Sequence, residues 1–358
     1  SFFWYDYETF GADPRVDRPV QFAGQRTDAS LEAIDEPVVL YCRPAPDYLP
    51  RPEASLIHGM TPLDLLEKGV TEAEFARRIH AELSQPDTCA VGYNAIRFDH
   101  EVTRFLMYRN LRDPYAWHWR NGNSRWDVID LMRAAFALRP DGIEWPRRDD
   151  GAPSFRLEDI AAANGLRNDS PHEALADVRT MIDLVRLVRE KKPDLFDYYL
   201  KLRDKRAVAR HLKSPFVWIS SLIGAERGCA SLMAPVTRHP QDSNAVIAFD
   251  LYHDPTPFTK TSPEDLRAAL FGRADSEGSD GEGMDRRPPL YKIKTNACPF
   301  VGSAGLLDAD VRGRLGLDEA ALQANYRNLT SASGFADTVY AALERDVLGA
   351  DVGVGGLT

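Results

Sequence analysis

Hydrophobic positions fall along this chain as strand-length runs that alternate with helical periodicities. The first run, residues 2–10 (FFWYDYETF), is nearly continuous in aromatic and apolar side chains and predicts a buried strand. Further strands are expected over 19–26, over 36–42, where PVVLYC closes on Arg43-Pro44, and over 89–93. Residues 71–83 carry helical spacing, with Thr71 and Glu74 in a capping-box pattern ahead of Phe75 and Ile79. Asp99 opens a second helix with Val102, Phe105 and Leu106 on its apolar face, and 154–165 predicts a short third, closing at Asn164-Gly165. A longer helix follows the Ser170-Pro171 start signal and runs to about Lys191. Strands interleaved with helices define an α/β domain.

Pro193 ends that helix, and LFDYYLKLRDKRAVARHLKSP then reads as a basic helical connector. Beyond it the apolar runs FVWISSL, CASLMAPVT, NAVIAFDLY and YKIKTNACPFV, separated by turn residues, predict a small β domain. Residues 317–329 and 335–348 are expected to be helical. The expected organisation is therefore a first domain over 1–193, a connector over 194–213, a β domain over 214–305 and a helical segment over 306–358.

Composition narrows the function classes. At 358 residues and 44% hydrophobic content the chain can bury two or three domain cores. No apolar run is long enough to cross a membrane, and no signal peptide is visible. Cys42, Cys89, Cys229 and Cys298 lie far apart with no CxxC, which argues against a zinc site or disulfide framework and for a reducing, cytoplasmic setting. A net charge of -10 does not advertise a nucleic-acid binder, but the charge is uneven. Between Lys201 and Lys213 six Lys or Arg face Asp204 alone, whereas five acids between Asp275 and Asp285 mark a solvated, glycine-rich loop.

The candidate chemistry begins in the first strand. Asp6 and Glu8 stand two apart, so both carboxylates leave the same face of the strand into one small volume. Their repulsion raises both proton affinities and calls for a cation, for which hard oxygen ligands favour magnesium or manganese. Asp99 adds a carboxylate at a strand-to-helix turn, where α/β sheets build their sites. His172 lies at the loose entry to the last long helix of the first domain, and Asp177 within its first turns. Singly, D-x-E is also the polar end of a strand, Asp99 a helix cap and His172 a surface residue. Together, four acids and one histidine suit hydrolysis of a phosphodiester by two metals roughly 4 Å apart, with His172 taking the proton of the attacking water. Between Arg104 and Arg133 cations alternate with aromatics, a composition that grips single strands through stacking and phosphate pairing. The same Trp and Tyr residues could equally be core anchors.

The order D-x-E, N-x-x-x-F-D, H-x-x-x-x-D resembles the DEDDh exonucleases. Within them YDYETFG, DRPVQFA, GYNAIRFDHEVTRF, DPYAWHW, NSRWDVIDLMRA, ALRPDGI and SFRLEDI are similar to segments of the bacterial exonuclease I family. The resemblance covers the first domain almost end to end and continues more weakly through NAVIAFDL to Ala297-Cys298-Pro299. It implies an RNase H-like mixed-sheet exonuclease domain, an SH3-like β domain and C-terminal helices. It further implies a Mg2+-dependent enzyme (two ions, with Mn2+ able to substitute) that degrades single-stranded DNA from the 3′ end to 5′-mononucleotides in DNA repair. Asp6, Glu8 and Asp177 would bind metal, Asp99 would support the second ion, and His172 would be the general base. Arg156 would hold the terminal phosphate, with Arg104, Tyr115, Trp119 and Arg133 along the strand; Trp117 and Trp126 are candidates for the core. Arg139 and Tyr198 fall in segments resembling a dock for the C-terminal tail of the single-stranded-DNA-binding protein. A monomer is expected. The family carries a further helical region after its second domain that this sequence does not include, and processivity is the property its lack would affect. Two alternatives are a short-RNA exonuclease with the same acids, disfavoured by the long second half, and a strand-binding module whose acids are structural.

Overall fold

A computed structural model of the chain describes residues 1–166, 173–272 and 287–344. The expected acidic loop over 275–285 and the position of His172 lie outside the described residues. The chain divides into two compact units at Arg203/Asp204, inside the segment expected as a connector.

The first unit runs β1 (Phe2–Thr9), β2 (Pro19–Thr27), β3 (Val38–Tyr41), α1 (Pro52–His58), α2 (Pro62–Lys68), α3 (Glu72–Leu83), β4 (Cys89–Gly92), α4 (Asp99–Arg109), β5 (Ser124–Asp127), α5 (Val128–Leu138), α6 (Leu157–Ala163), α7 (Ala174–Lys191) and α8 (Pro193–Lys201). Its sheet is ordered β3-β2-β1-β4-β5. The hairpin partners β1, β2 and β3 pair antiparallel, while β4 and β5 join parallel to β1, so the sheet is mixed and β1 is central. Alternation along β1 explains its place. Phe3, Tyr5 and Tyr7 enter one core with Phe22, Phe75, Ile79, Val102 and Leu106, beneath α3 and α4. The other face meets α7, which packs on β1 and β2.

Three local expectations change. Thr71 caps α3 by accepting the Glu74 N–H, but the reciprocal bond is missing because Glu74 pairs with Arg77 and Arg78 at 2.7 and 2.6 Å. The third helix begins at Leu157 rather than Ser154, since Ser154 turns its hydroxyl to Asp159 and Arg156 is the extended cap residue. The connector is two helices. Pro193 starts α8 as its first residue, and α8 buries Phe196 and Tyr199 against Trp126 of β5, 5.5 and 5.2 Å between ring centres. α8 therefore belongs to the first core.

The second unit contains α9 (Lys205–His211), β6 (Phe216–Ile219), β7 (Ala230–Arg238), β8 (Ala245–Asp250), α10 (Pro263–Phe271), β9 (Leu290–Lys294), β10 (Phe300–Ser303), α11 (Ala309–Leu315), α12 (Glu319–Ser331) and α13 (Phe335–Leu343). Its sheet is antiparallel throughout, in the order β10-β6-β7-β8-β9. The run YKIKTNACPFV makes two strands, because a turn at 295–299 with Cys298 at φ 48° sends β10 across to β6. α9 packs on β10, and α13 on β7 and α10.

Candidate active site

The site forms where β1 leaves the sheet. Asp6 and Glu8 project from the α7 side of the strand, and a register shift after Glu8 ends regular pairing there. Asp177 sits in the first turn of α7. One carboxylate oxygen from each of Asp6, Glu8 and Asp177 lies within 4.8 Å of the other two, the single such grouping of potential metal ligands among the described residues. All three are half-buried.

Asp99 completes the charge but not the ring of closest oxygens. It is the first residue of α4 and only 3% exposed. Its side chain does not cap α4; instead its Oδ1 accepts the Tyr7 N–H at 3.2 Å, between the two acids of β1. The capping alternative for Asp99 is thereby corrected, because the carboxylate is turned back to the central strand. Burial, and then the Asp177 and Asp99 charges, push Glu8 up to about 8. Burial likewise pushes Asp99 up to about 8. Asp6 is raised well above the usual carboxylate range by burial, then by Asp99, Glu8 and Asp177. Hard oxygen donors that raise one another's proton affinity in this way fit a divalent metal ion.

Two residues that sequence reasoning missed bond to the backbone of segments that carry these acids. Gln21 is the partner of Glu8 across the β1–β2 pair and is 1% exposed. Its Oε1 accepts the Ala174 N–H at 3.3 Å, tying the start of α7, and so Asp177, to the strand beside Glu8. Nothing in the local sequence singles it out, because β2 also buries Gln25, Arg26 and Thr27. Asp127, at the end of β5, accepts the N–H groups of Asn94, Ile96 and Ile129 at 2.8, 3.0 and 3.2 Å. Nothing in the local sequence distinguishes it from an ordinary cap.

The expected strand contacts divide by exposure. Tyr115 and Trp119 are 47% and 58% exposed, each with a guanidinium over its ring: Arg104 at 5.5 Å and Arg120 at 5.4 Å. Arg104 also pairs with Glu101 at 2.6 Å. Arg156 is exposed and pairs with Glu158, and its backbone is fixed through the Tyr93 hydroxyl, which donates to the Phe155 carbonyl at 2.7 Å. Arg133 differs. It is 8% exposed within the apolar α5, pairs with Asp130 at 2.7 Å and lies over the Phe155 ring, so it supports the Arg156 loop from beneath. Trp117 and Trp126 are core residues. Arg139, exposed, follows α5, and Tyr198 is half-buried on α8.

A five-stranded mixed sheet with acids on its central strand and on the helix packed against it defines a nuclease of the RNase H-like exonuclease class. Residues 3–185 match the family described as Exonuclease, and residues 203–345 match the Exonuclease I SH3-like domain. The exodeoxyribonuclease I of Haemophilus influenzae is 44% identical over 322 residues, covering 89% of this chain and 67% of that protein. The crystal structure of E. coli exonuclease I in complex with a dA16 oligonucleotide superposes with a TM-score of 0.92 at 42% identity, covering 98% of this chain and 75% of that one. A solved ExoI/SSB-Ct complex gives 0.90 at 42% identity, over 96% and 74%. The chain belongs to the exodeoxyribonuclease I family. Among the described residues no helix is long and apolar enough to cross a membrane.

Proposed function

We propose that this chain hydrolyses single-stranded DNA from its 3′ end, releasing 5′-mononucleotides, with Asp6, Glu8, Asp99 and Asp177 holding two Mg2+ ions, or Mn2+ in their place. The observation that carries the reading is the convergence of Asp6, Glu8 and Asp177 within 4.8 Å beside the buried Asp99. Bound there, the ions would supply charge stabilisation for the attacking and leaving oxygens of an in-line displacement. The chain's own groups do the rest. A histidine, whose free side chain titrates near neutrality, is the residue type suited to take the proton of the attacking water, and His172 is assigned that role. Arg156, an exposed guanidinium, is assigned the terminal phosphate, and the exposed rings of Tyr115 and Trp119 with Arg104 are assigned to bases and backbone. The oligonucleotide carried by the solved E. coli relative supports the substrate class. The SSB-Ct complex supports the C-terminal tail of the single-stranded-DNA-binding protein as a partner; Arg139 and Tyr198 are assigned to that contact from the resemblance of their segments alone. A repair role as a cytoplasmic monomer accords with this chemistry and with four buried cysteines that form no disulfide.

The test is a 5′-labelled oligonucleotide supplied as single-stranded DNA, as the matching duplex and as RNA, with magnesium or with EDTA. The expected result is a magnesium-dependent ladder shortening from the 3′ end on single-stranded DNA only. Preferential shortening of RNA would transfer the reading to a ribonuclease, and binding without cleavage would reduce the chain to a strand-binding module.

A further inference from the structure

Asp99 reaches the site through a turn that the chain must hold in an uncommon shape. β4 ends at Gly92, and a Cβ there would stand 2.4 Å from the Ala95 side chain. Asn94 adopts a left-handed φ of 58°, which costs energy for any residue with a side chain. The segment then folds back on itself: the Phe98 and His100 N–H groups donate to the Ala95 carbonyl at 3.2 and 2.8 Å, and Asp99 starts α4. The far end of this segment is fixed by the Tyr7 N–H donating to Asp99 Oδ1.

The near end is fixed from the neighbouring strand. Asp127 is the register partner of Gly92 in the parallel β4–β5 pair and is 3% exposed. Its two oxygens take N–H groups from both sides of the strained residue, Asn94 at 2.8 Å and Ile96 at 3.0 Å, and Ile129 of α5 shares Oδ1 at 3.2 Å. Capping α5 needs one oxygen and one N–H. The two further bonds, to a turn 33 and 31 residues away in sequence, have no part in that cap.

We propose that Asp127 is a positioning residue of the active site, acting through Asn94 and Ile96 to set where the Asp99 carboxylate stands relative to Asp6 and Glu8. This rests on the reading of Asp99 as part of the metal centre. Without the Asp127 carboxylate, the turn is free to relax towards commoner backbone angles and carries the first residue of α4 with it. Displacement of a supporting group by as little as about 1 Å can cost on the order of 10²-fold in rate. Loss of an outer hydrogen-bond partner typically costs about 10- to 100-fold in metal affinity or activity.

The experiment is a double-mutant cycle on the full chain with Asp99→Asn, Asp127→Asn and the double variant. Steady-state kinetics on single-stranded DNA are followed, Mn2+ binding is measured by calorimetry without DNA, and amide exchange is recorded on the metal-free proteins. Asp127→Asn keeps one acceptor oxygen and the side-chain volume, so it is the variant expected to fold. Asp127→Ala, if folded, should show the larger effect. The expected result for Asp127→Asn is a fall in kcat of about 10-fold or more with KM nearly unchanged, and weaker Mn2+ binding. Faster exchange should be confined to residues 93–98. The double variant should be no worse than Asp99→Asn beyond about threefold, because both changes act on one carboxylate. Losses that multiply, or normal Mn2+ affinity in a variant with lowered thermal stability, would overturn the inference and leave Asp127 a helix cap. If Asp99→Asn itself keeps wild-type rate and Mn2+ affinity, the reading of Asp99 fails first and the inference falls with it.

Discussion

At the scale of single residues, the site is a balance between burial and charge. Asp6, Glu8 and Asp177 are kept close enough to repel, and Asp99 is set behind them with almost no solvent contact. Such an arrangement is costly unless a cation compensates it. His172 belongs to this scale as well. Replacing it by Ala should lower kcat by about 10²- to 10⁴-fold, the usual worth of a general base, while circular dichroism and strand affinity stay unchanged. An unaltered rate in His172→Ala would remove it from the mechanism. The acids of β1 are legible in the sequence because strand geometry is simple: residues two apart share a face, so D-x-E in an apolar run is enough to bring its two carboxylates together. Gln21 and Asp127 are not legible, because each acts through hydrogen bonds to chain 153 or 33 residues away. Arg133, expected along the strand and found buried, escapes for a related reason, since the side on which a nearly all-apolar helix meets its loop is a tertiary fact.

Elements place these residues, and here the chain reads well where apolar periodicity is strong and poorly where a proline carries two meanings. β1 is central because its odd residues bury under α3 and α4 while its even residues meet α7. Pro193 reads in sequence as the end of α7; it does follow that helix, but it also begins α8 as a proline in the first turn. The consequence is energetic. Phe196, 2% exposed and edge-on to Trp126, anchors α8 to the β5 side of the sheet. Phe196→Ala should destabilise the first unit by about 3 kcal/mol or more, the usual cost of an aromatic truncation in a core. Chemical unfolding followed by Trp fluorescence measures it. A change below about 0.5 kcal/mol would show that α8 is a connector and no part of that core.

For the whole molecule, the raised proton affinities of the site become a dependence of stability on pH and metal. Glu8 and Asp99 have ordinary values of 4.5 and 3.8 and stand at about 8 when folded. Between those limits the folded chain holds protons that the unfolded chain releases, so stability is present at low pH and lost as pH rises through about 8. In EDTA the Tm should therefore fall between about pH 5 and pH 8 through this site, and Mg2+ should restore it most at the upper end, where the acids are ionised. Asp6→Asn should flatten both trends. A metal-free Tm that this substitution leaves unchanged across the range would contradict the charge balance described above.

Whether these carboxylates bind metal for chemistry or hold the strand is decided by one paired measurement on Asp6→Ala. Cleavage of 5′-labelled single-stranded DNA in magnesium is compared with equilibrium binding of the same strand in EDTA, variant against wild type. A metal role requires cleavage to fall by on the order of 10³-fold or more while the Kd stays within about threefold. Cleavage that survives, or binding that falls as far as cleavage does, would contradict it.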